Sequence, residues 1–118
     1  MSLWRTTAYE PAFAREITLV VALPDVQPGE ARPFPAYMLL ADAPSEADSL
    51  VRKYPLEAML CRERGAAAVC LPGWVAEHAG GYQYLNEALP TWLEALFPIR
   101  VQAIYRYAQI LERDGIIE

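Results

Sequence analysis

The chain is poor in the groups that perform catalysis and in those that bind nucleic acid. Its 118 residues include one lysine, Lys53, one histidine, His78, and three serines, Ser2, Ser45 and Ser49. The arginines are scattered and the formal net charge is −5. Nucleic-acid binding needs clustered positive charge to displace counterions from phosphates, so no nucleic-acid partner is expected. The same acidic balance argues against an anionic membrane surface. Long apolar runs are also missing. The uncharged window 65–76 is too short to span a bilayer and contains Pro72. The opening MSLWRTT lacks the apolar stretch of a signal peptide, and a cytoplasmic location is the simplest expectation. There are two cysteines, Cys61 and Cys70, both in apolar patterns, which predicts buried reduced thiols rather than a disulfide framework.

What is present is globular. Hydrophobic residues make up 54% of the chain and charged residues 21%, enough for one domain, residues 1–118, around one modest core. Residues 16–24 (EITLVVALP) form a β-branched apolar run that reads as a strand. The proline-rich stretch 25–35 should be an exposed loop. Residues 36–41 (AYMLLA) and 65–71 (GAAAVCL) are two further runs of the kind found in buried strands. Between them, Ser45 and Asp48 fit a helix-capping pattern, and Pro55 suits a first helical position. Leu56, Met59 and Leu60 follow at helical spacing. The clearest helix carries Leu85, Ala88, Leu89, Trp92, Leu93, Leu96 and Phe97 on one stripe, interrupted only by Pro90. The order strand, strand, helix, strand, helix predicts a small three-layer α/β domain with a mostly parallel sheet and right-handed crossovers.

These features, taken in order, resemble the esterases related to esterase D and the bacterial tributyrin esterases, within the α/β-hydrolase superfamily. Pro35-Ala-Tyr-Met-Leu-Leu40 is similar to the strand that leads into the family's oxyanion loop, and 49–60 to the segment after it. Ala67-Ala-Val-Cys-Leu-Pro72 is similar to the next strand. Tyr82-Gln-Tyr-Leu-Asn-Glu87-Ala-Leu-Pro90, with Leu93, Phe97 and Pro98, looks like the helix before the nucleophile strand, mid-helix proline included. The resemblance covers roughly residues 16–98 and implies a truncated α/β-hydrolase, its front half only.

The resemblance does not extend to the chemistry. A hydrolase of this fold carries its serine on a strained Gly-x-Ser-x-Gly turn, followed by an acid and a histidine. None of the three serines has flanking glycines, and His78 precedes the long helix, so no catalytic residue is assigned. Where the family has His-Gly at the oxyanion loop, this chain has Ala41-Asp42, and a carboxylate there would repel a developing oxyanion. Asp42 alternatively caps a turn. After Pro98, residues Val101, Ile104, Tyr105, Ala108 and Leu111 share one helical face, which is the favoured reading and implies loss of the nucleophile strand. The alternative makes residues 100–107 a strand in the place of the nucleophile strand, again with no serine behind it.

Cys61, Cys70 and His78 lack the close ligand pairs of zinc sites, so no metal is expected. Gly80-Gly81 alone does not define a dinucleotide site, and no cofactor is expected. Residues 73–84 should lie at the carboxyl end of a parallel strand, where open α/β sheets bind ligands. Trp74, His78, Tyr82 and Tyr84, with Asp42, are therefore the candidate ligand-binding residues for an unidentified small molecule. If the nucleophile strand is absent, the Ala36–Ala41 strand becomes an apolar sheet edge. A homodimer or higher oligomer through that edge or through the tail helix is then expected. The functional expectation is an esterase-like binding or scaffold protein without the Ser-His-Asp machinery. The alternative is a hydrolase of small carboxylic esters with an altered or inter-subunit active site.

Overall fold

Four strands and a fifth from the carboxyl-terminal third build one mixed sheet of order β1-β2-β4-β3-β5. The computed structural model describes residues 2–25, 33–42, 45–53, 61 and 65–106, with the side chains of Lys53, Tyr82, Tyr105 and Arg106 excepted. The strands are β1 (Ser2–Glu10), β2 (Arg15–Leu23), β3 (Phe34–Leu40), β4 (Ala67–Leu71) and β5 (Ile99–Arg106). The three strands read from sequence are present. β1 is additional: it pairs antiparallel with β2 from Ser2↔Leu23 to Glu10↔Arg15 through a turn at residues 11–14. β2 is antiparallel to β4, while β3 runs parallel to both β4 and β5. The parallel part of the sheet is thus β4-β3-β5, and the hairpin extends it on the β4 side.

Two expectations about the tail and the edge are corrected. Residues up to Arg106 form strand β5 rather than the favoured helix, and residues 107–118 lie outside the described residues. β5 pairs along the whole of β3, from Phe34↔Ile99 to Leu40↔Arg106, with one irregularity that passes over Gln102. β3, which holds Ala36 to Leu40 of the expected edge strand, is therefore interior and offers no edge to a partner. The physical reason is that IRVQAIYR satisfies both a period of 3.6 and a period near 2. Pairing with a largely buried neighbour selects the extended form. Pro35, which has no N–H to give a ladder, precedes the β4 pairing that begins at Ala36↔Ala67.

Helices cover both faces. The short α1 (Asp48–Lys53) packs on the face formed by Val20, Ala22, Leu39, Ala68 and Cys70, with Ala47, Leu50 and Cys61 completing that layer. The expected continuation of this helix around Pro55–Leu60 lies outside the described residues. On the other face α2 (Trp74–Glu77), α3 (Gly81–Gln83), a π-turn at Tyr84–Ala88 and α4 (Leu89–Leu96) cover Ile17, Leu19, Val21, Met38, Val69 and Leu71. This is the three-layer arrangement. Gly81 is required where α2 and α3 meet, since a Cβ there would lie 1.9 Å from the Val75 carbonyl oxygen. Gly80 beside it has φ +79°, a left-handed backbone that glycine tolerates. Close packing thus accounts for Gly81 and backbone conformation for Gly80.

The π-turn sits immediately before Pro90. Proline lacks the N–H for an i→i−4 bond and its ring crowds that carbonyl, so one wide turn absorbs the conflict instead of a break. The Thr91 hydroxyl donates to the Glu87 carbonyl at 3.0 Å, satisfying one acceptor of the disturbed ladder. Leu85, Leu89 and Leu93 then face the sheet fully buried, whereas Leu96 is 57% exposed. Among the described residues no helix is long and apolar enough to cross a membrane. Truncating the central stripe residue, Leu89→Ala, should cost ~2–5 kcal/mol, by lost transfer energy plus a cavity. Urea denaturation followed by circular dichroism will read this as a lowered midpoint with an unchanged slope.

Candidate functional site

Chain direction fixes where a site can form. From β3 the chain leaves over the α1 face to reach β4. From β4 it leaves over the opposite face and returns past β3 to β5. Two adjacent parallel strands whose connections depart over opposite faces open a crevice at their carboxyl ends, the usual ligand position of α/β sheets. Here backbone hydrogen bonds lace the two ends together. Ala41 N–H donates to Leu71 O at 3.0 Å, and Gly73 N–H donates to Ser45 O at 3.1 Å. Asp42 forms the turn between them, its carbonyl accepting Ser45 N–H at 2.7 Å, and it is exposed.

The β1–β2 turn reaches the same end of the sheet, because β2 runs antiparallel to β4. Phe13 N–H donates to Glu10 O and Ala14 N–H to Pro11 O, and Ala14 closes the turn at φ 52°, a left-handed conformation uncommon for a residue with a Cβ. That geometry drives the Phe13 ring into the core, where it is 5% exposed. Trp74, His78 and Tyr84 surround it edge-on, with centroid separations of 5.4, 4.7 and 4.9 Å. The Arg15 guanidinium stacks over the Trp74 ring at 3.9 Å. Three of the five candidate residues therefore converge on one residue, Phe13, that sequence reasoning did not single out. Asp42 stays outside this cluster, and the Tyr82 side chain lies outside the described residues. The signal that could have found Phe13 is Pro11 between two Thr/Tyr/Ile-containing runs.

Among the described residues no serine or cysteine lies beside His78. Its Nδ1 donates to the Ala79 carbonyl at 2.8 Å and the ring rests on Phe13. Ser49 is buried on the other face and donates to Glu46 O at 2.8 Å. Cys70 also points to that other face, so the sheet separates it from His78. Burial, assisted by the Asp48 carboxylate, pushes the Cys70 thiol up from 9.0 to about 12, which suppresses the thiolate. Burial and then Glu10 push Tyr84 from 10.0 to about 12. Among the described residues no three His, Cys, Asp or Glu side chains group as metal ligands.

With the geometry in hand, the chain can be set beside known proteins. No family model and no curated protein matches it. Solved structures do. FphF, a fluorophosphonate-binding serine hydrolase of Staphylococcus aureus determined with substrate bound, superposes with a TM-score of 0.70 at 18% identity, over 86% of this chain and 46% of its own. S-formylglutathione hydrolase FrmB of S. aureus gives 0.68 at 18% identity, over 86% and 47%. The CE1 ferulic acid esterase AmCE1/Fae1A of the anaerobic fungus Anaeromyces mucronatus gives 0.61 at 15% identity, over 88% and 48%. The chain has the fold of esterase-type serine hydrolases and spans about half the length of these neighbours. At such identities the likeness is one of fold.

The two raised groups make a pH prediction. Each binds its proton more tightly folded than unfolded, so its contribution is complete below about pH 9 and is lost as pH rises towards 12. Urea midpoints should fall steadily above about pH 9, and the fall should be shallower in Cys70→Ala, whatever that variant's stability at neutral pH.

Proposed function

We propose that these 118 residues form an esterase-fold binding or scaffold module that does not itself hydrolyse esters. The observation that carries this reading is the strand beside β3. β5 pairs parallel with β3, where the resemblance would put the nucleophile strand, yet the sequence that follows it, YAQILERDG, contains no serine. A nucleophile needs a base within hydrogen-bond reach, and no serine or cysteine among the described residues meets His78. The resemblance would put the oxyanion loop at Ala41-Asp42, where a carboxylate disfavours a developing negative charge.

The partner surface of such a module is an edge of the sheet. With β3 covered, the open edges among the described residues are β1 and β5, and strand pairing with a second copy or another chain would use one of them. A second reading is favoured by one observation. The chain spans 46–48% of its structural neighbours, so a further chain could complete a hydrolase across β5. Both readings meet in one assay, hydrolysis of a chromogenic short-chain ester by the purified chain. A variant carrying Cys61→Ala, Cys70→Ala and His78→Ala serves as control. We expect no turnover above that control. Turnover that disappears in the control, or that rises more steeply than linearly with protein concentration, would overturn the non-catalytic reading.

A further inference from the structure

The helical segment 84–96 presents two stripes to the sheet. Leu85, Leu89 and Leu93 fill the centre of the core. The neighbouring stripe, Tyr84, Ala88 and Trp92, stands over the β1–β2 hairpin, where the sheet extends beyond the buried helix face. Cross-strand pairs Thr6↔Leu19 and Ala8↔Ile17 place these four side chains on the face below it. Because Ala88 is small, the helix and the hairpin do not close on each other. A cleft of about 260 Å³ remains, with Ile17 and Leu19 in its floor and Tyr84 and Trp92 in its wall. That is slightly below the ~300–1,000 Å³ common for small-molecule sites, which suits a compact ligand.

The charge of this cleft is of one sign. Among the described residues Glu10 is the only carboxylate that lines it, and no cationic side chain does. A second cleft adjoins it through Glu10, Tyr84 and Ala88 and adds only another acid, Glu87. Glu87 is engaged by Gln83 at 3.1 Å. The Glu10 carboxylate accepts one hydrogen bond, from Ala12 N–H at 3.2 Å, and has no ion-pair partner among the described residues. Arg15 stands opposite it in the ladder, but its guanidinium is stacked on Trp74. An uncompensated carboxylate beside an apolar slot with Tyr and Trp faces is complementary to a cation with an apolar body.

We propose that the groove between the β1–β2 hairpin and the helical segment 84–96 binds small organic ammonium ions, the ammonium at Glu10 and the apolar body over Ile17 and Leu19 against Trp92. This site is separate from the crevice between β3 and β4, and it does not depend on whether the chain hydrolyses esters.

The test is a titration of the 118-residue chain with 4-phenylbutylammonium, followed by amide and indole NMR shifts. The neutral 4-phenylbutanol and the anionic 4-phenylbutyrate serve as isosteres. We expect saturable shifts centred on Tyr84, Ala88 and Trp92, with the ammonium binding roughly three- to tenfold tighter than the alcohol and the carboxylate weakest. Glu10→Gln should erase the preference for the ammonium while alcohol binding persists, and Trp92→Ala should weaken both. Equal affinity for ammonium and alcohol in the unsubstituted chain would overturn the proposal, as would shifts located elsewhere or no saturation at millimolar ligand. The three-ligand comparison needs no variant, so it stands even if a substitution unfolds the chain.

Discussion

β4 has to be covered on both faces, and the rest of the structure is arranged to do so. Ala67 to Leu71 are all buried, and Ala66, Pro72 and Gly73 extend the run on either side. A strand with apolar side chains on both faces gains roughly 25 cal/mol per Å² only if helices stand above and below it and strands flank it. Its alanines let the covering layers approach closely. Right-handed crossovers can deliver one helical layer to each face only if the chain changes direction along the sheet after β4. That reversal carries the chain past β3 and makes β3, not β5, an interior strand. The same reversal places the carboxyl ends of β3 and β4 at the one crevice of the parallel sheet.

The second constraint is local. Pro90 lies in the middle of the helix that must cover Met38, Val69 and Leu71, a position where proline forbids a regular ladder. Widening one turn keeps the segment continuous, and Leu85, Leu89 and Leu93 keep a common face across it. The neighbouring stripe is then free to reach beyond the core, over the hairpin. Tyr84 is shared by both arrangements: its edge packs on Phe13, while its other side walls the cleft. The hairpin is held from the other face as well, by the 2.6 Å ion pair between Arg5 and Asp48. That pair is largely exposed, so it orients β1 more than it stabilises it.

The parts legible in the sequence are those whose side chains answer to one environment. β2, β3, β4 and the leucine stripe are apolar because they are buried, and their periodicity announces them. β1 is exposed from Ser2 to Arg5 and then alternates, with Thr6 and Ala8 half-buried and Thr7 and Tyr9 exposed, so no apolar run marks it. The pattern of β5 fits two periods, and only contact with β3 decides between them. The location of Trp74, His78 and Tyr84 at a strand end followed from the order of elements. Their actual neighbour, Phe13, did not, because it belongs to a turn between an unread strand and β2. Glu10 was invisible for the same reason. A site built across elements distant in sequence is legible only once the topology is known.

The buried layers of this fold do not depend on catalytic side chains. Among the described residues the buried set is apolar except for Ser49, which satisfies itself within its own helix start. Catalytic serines, acids and histidines of α/β-hydrolases sit on turns beyond the strand ends, outside the layers that give the domain its stability. Replacing those turns leaves the buried area, the strand register and the crossovers untouched. Selection for folding and selection for hydrolysis therefore act on different residues. The esterase-type fold is present here at 15–18% identity to its structural neighbours, with Asp42 in a turn and Phe13 and His78 packed edge-on in an aromatic cluster.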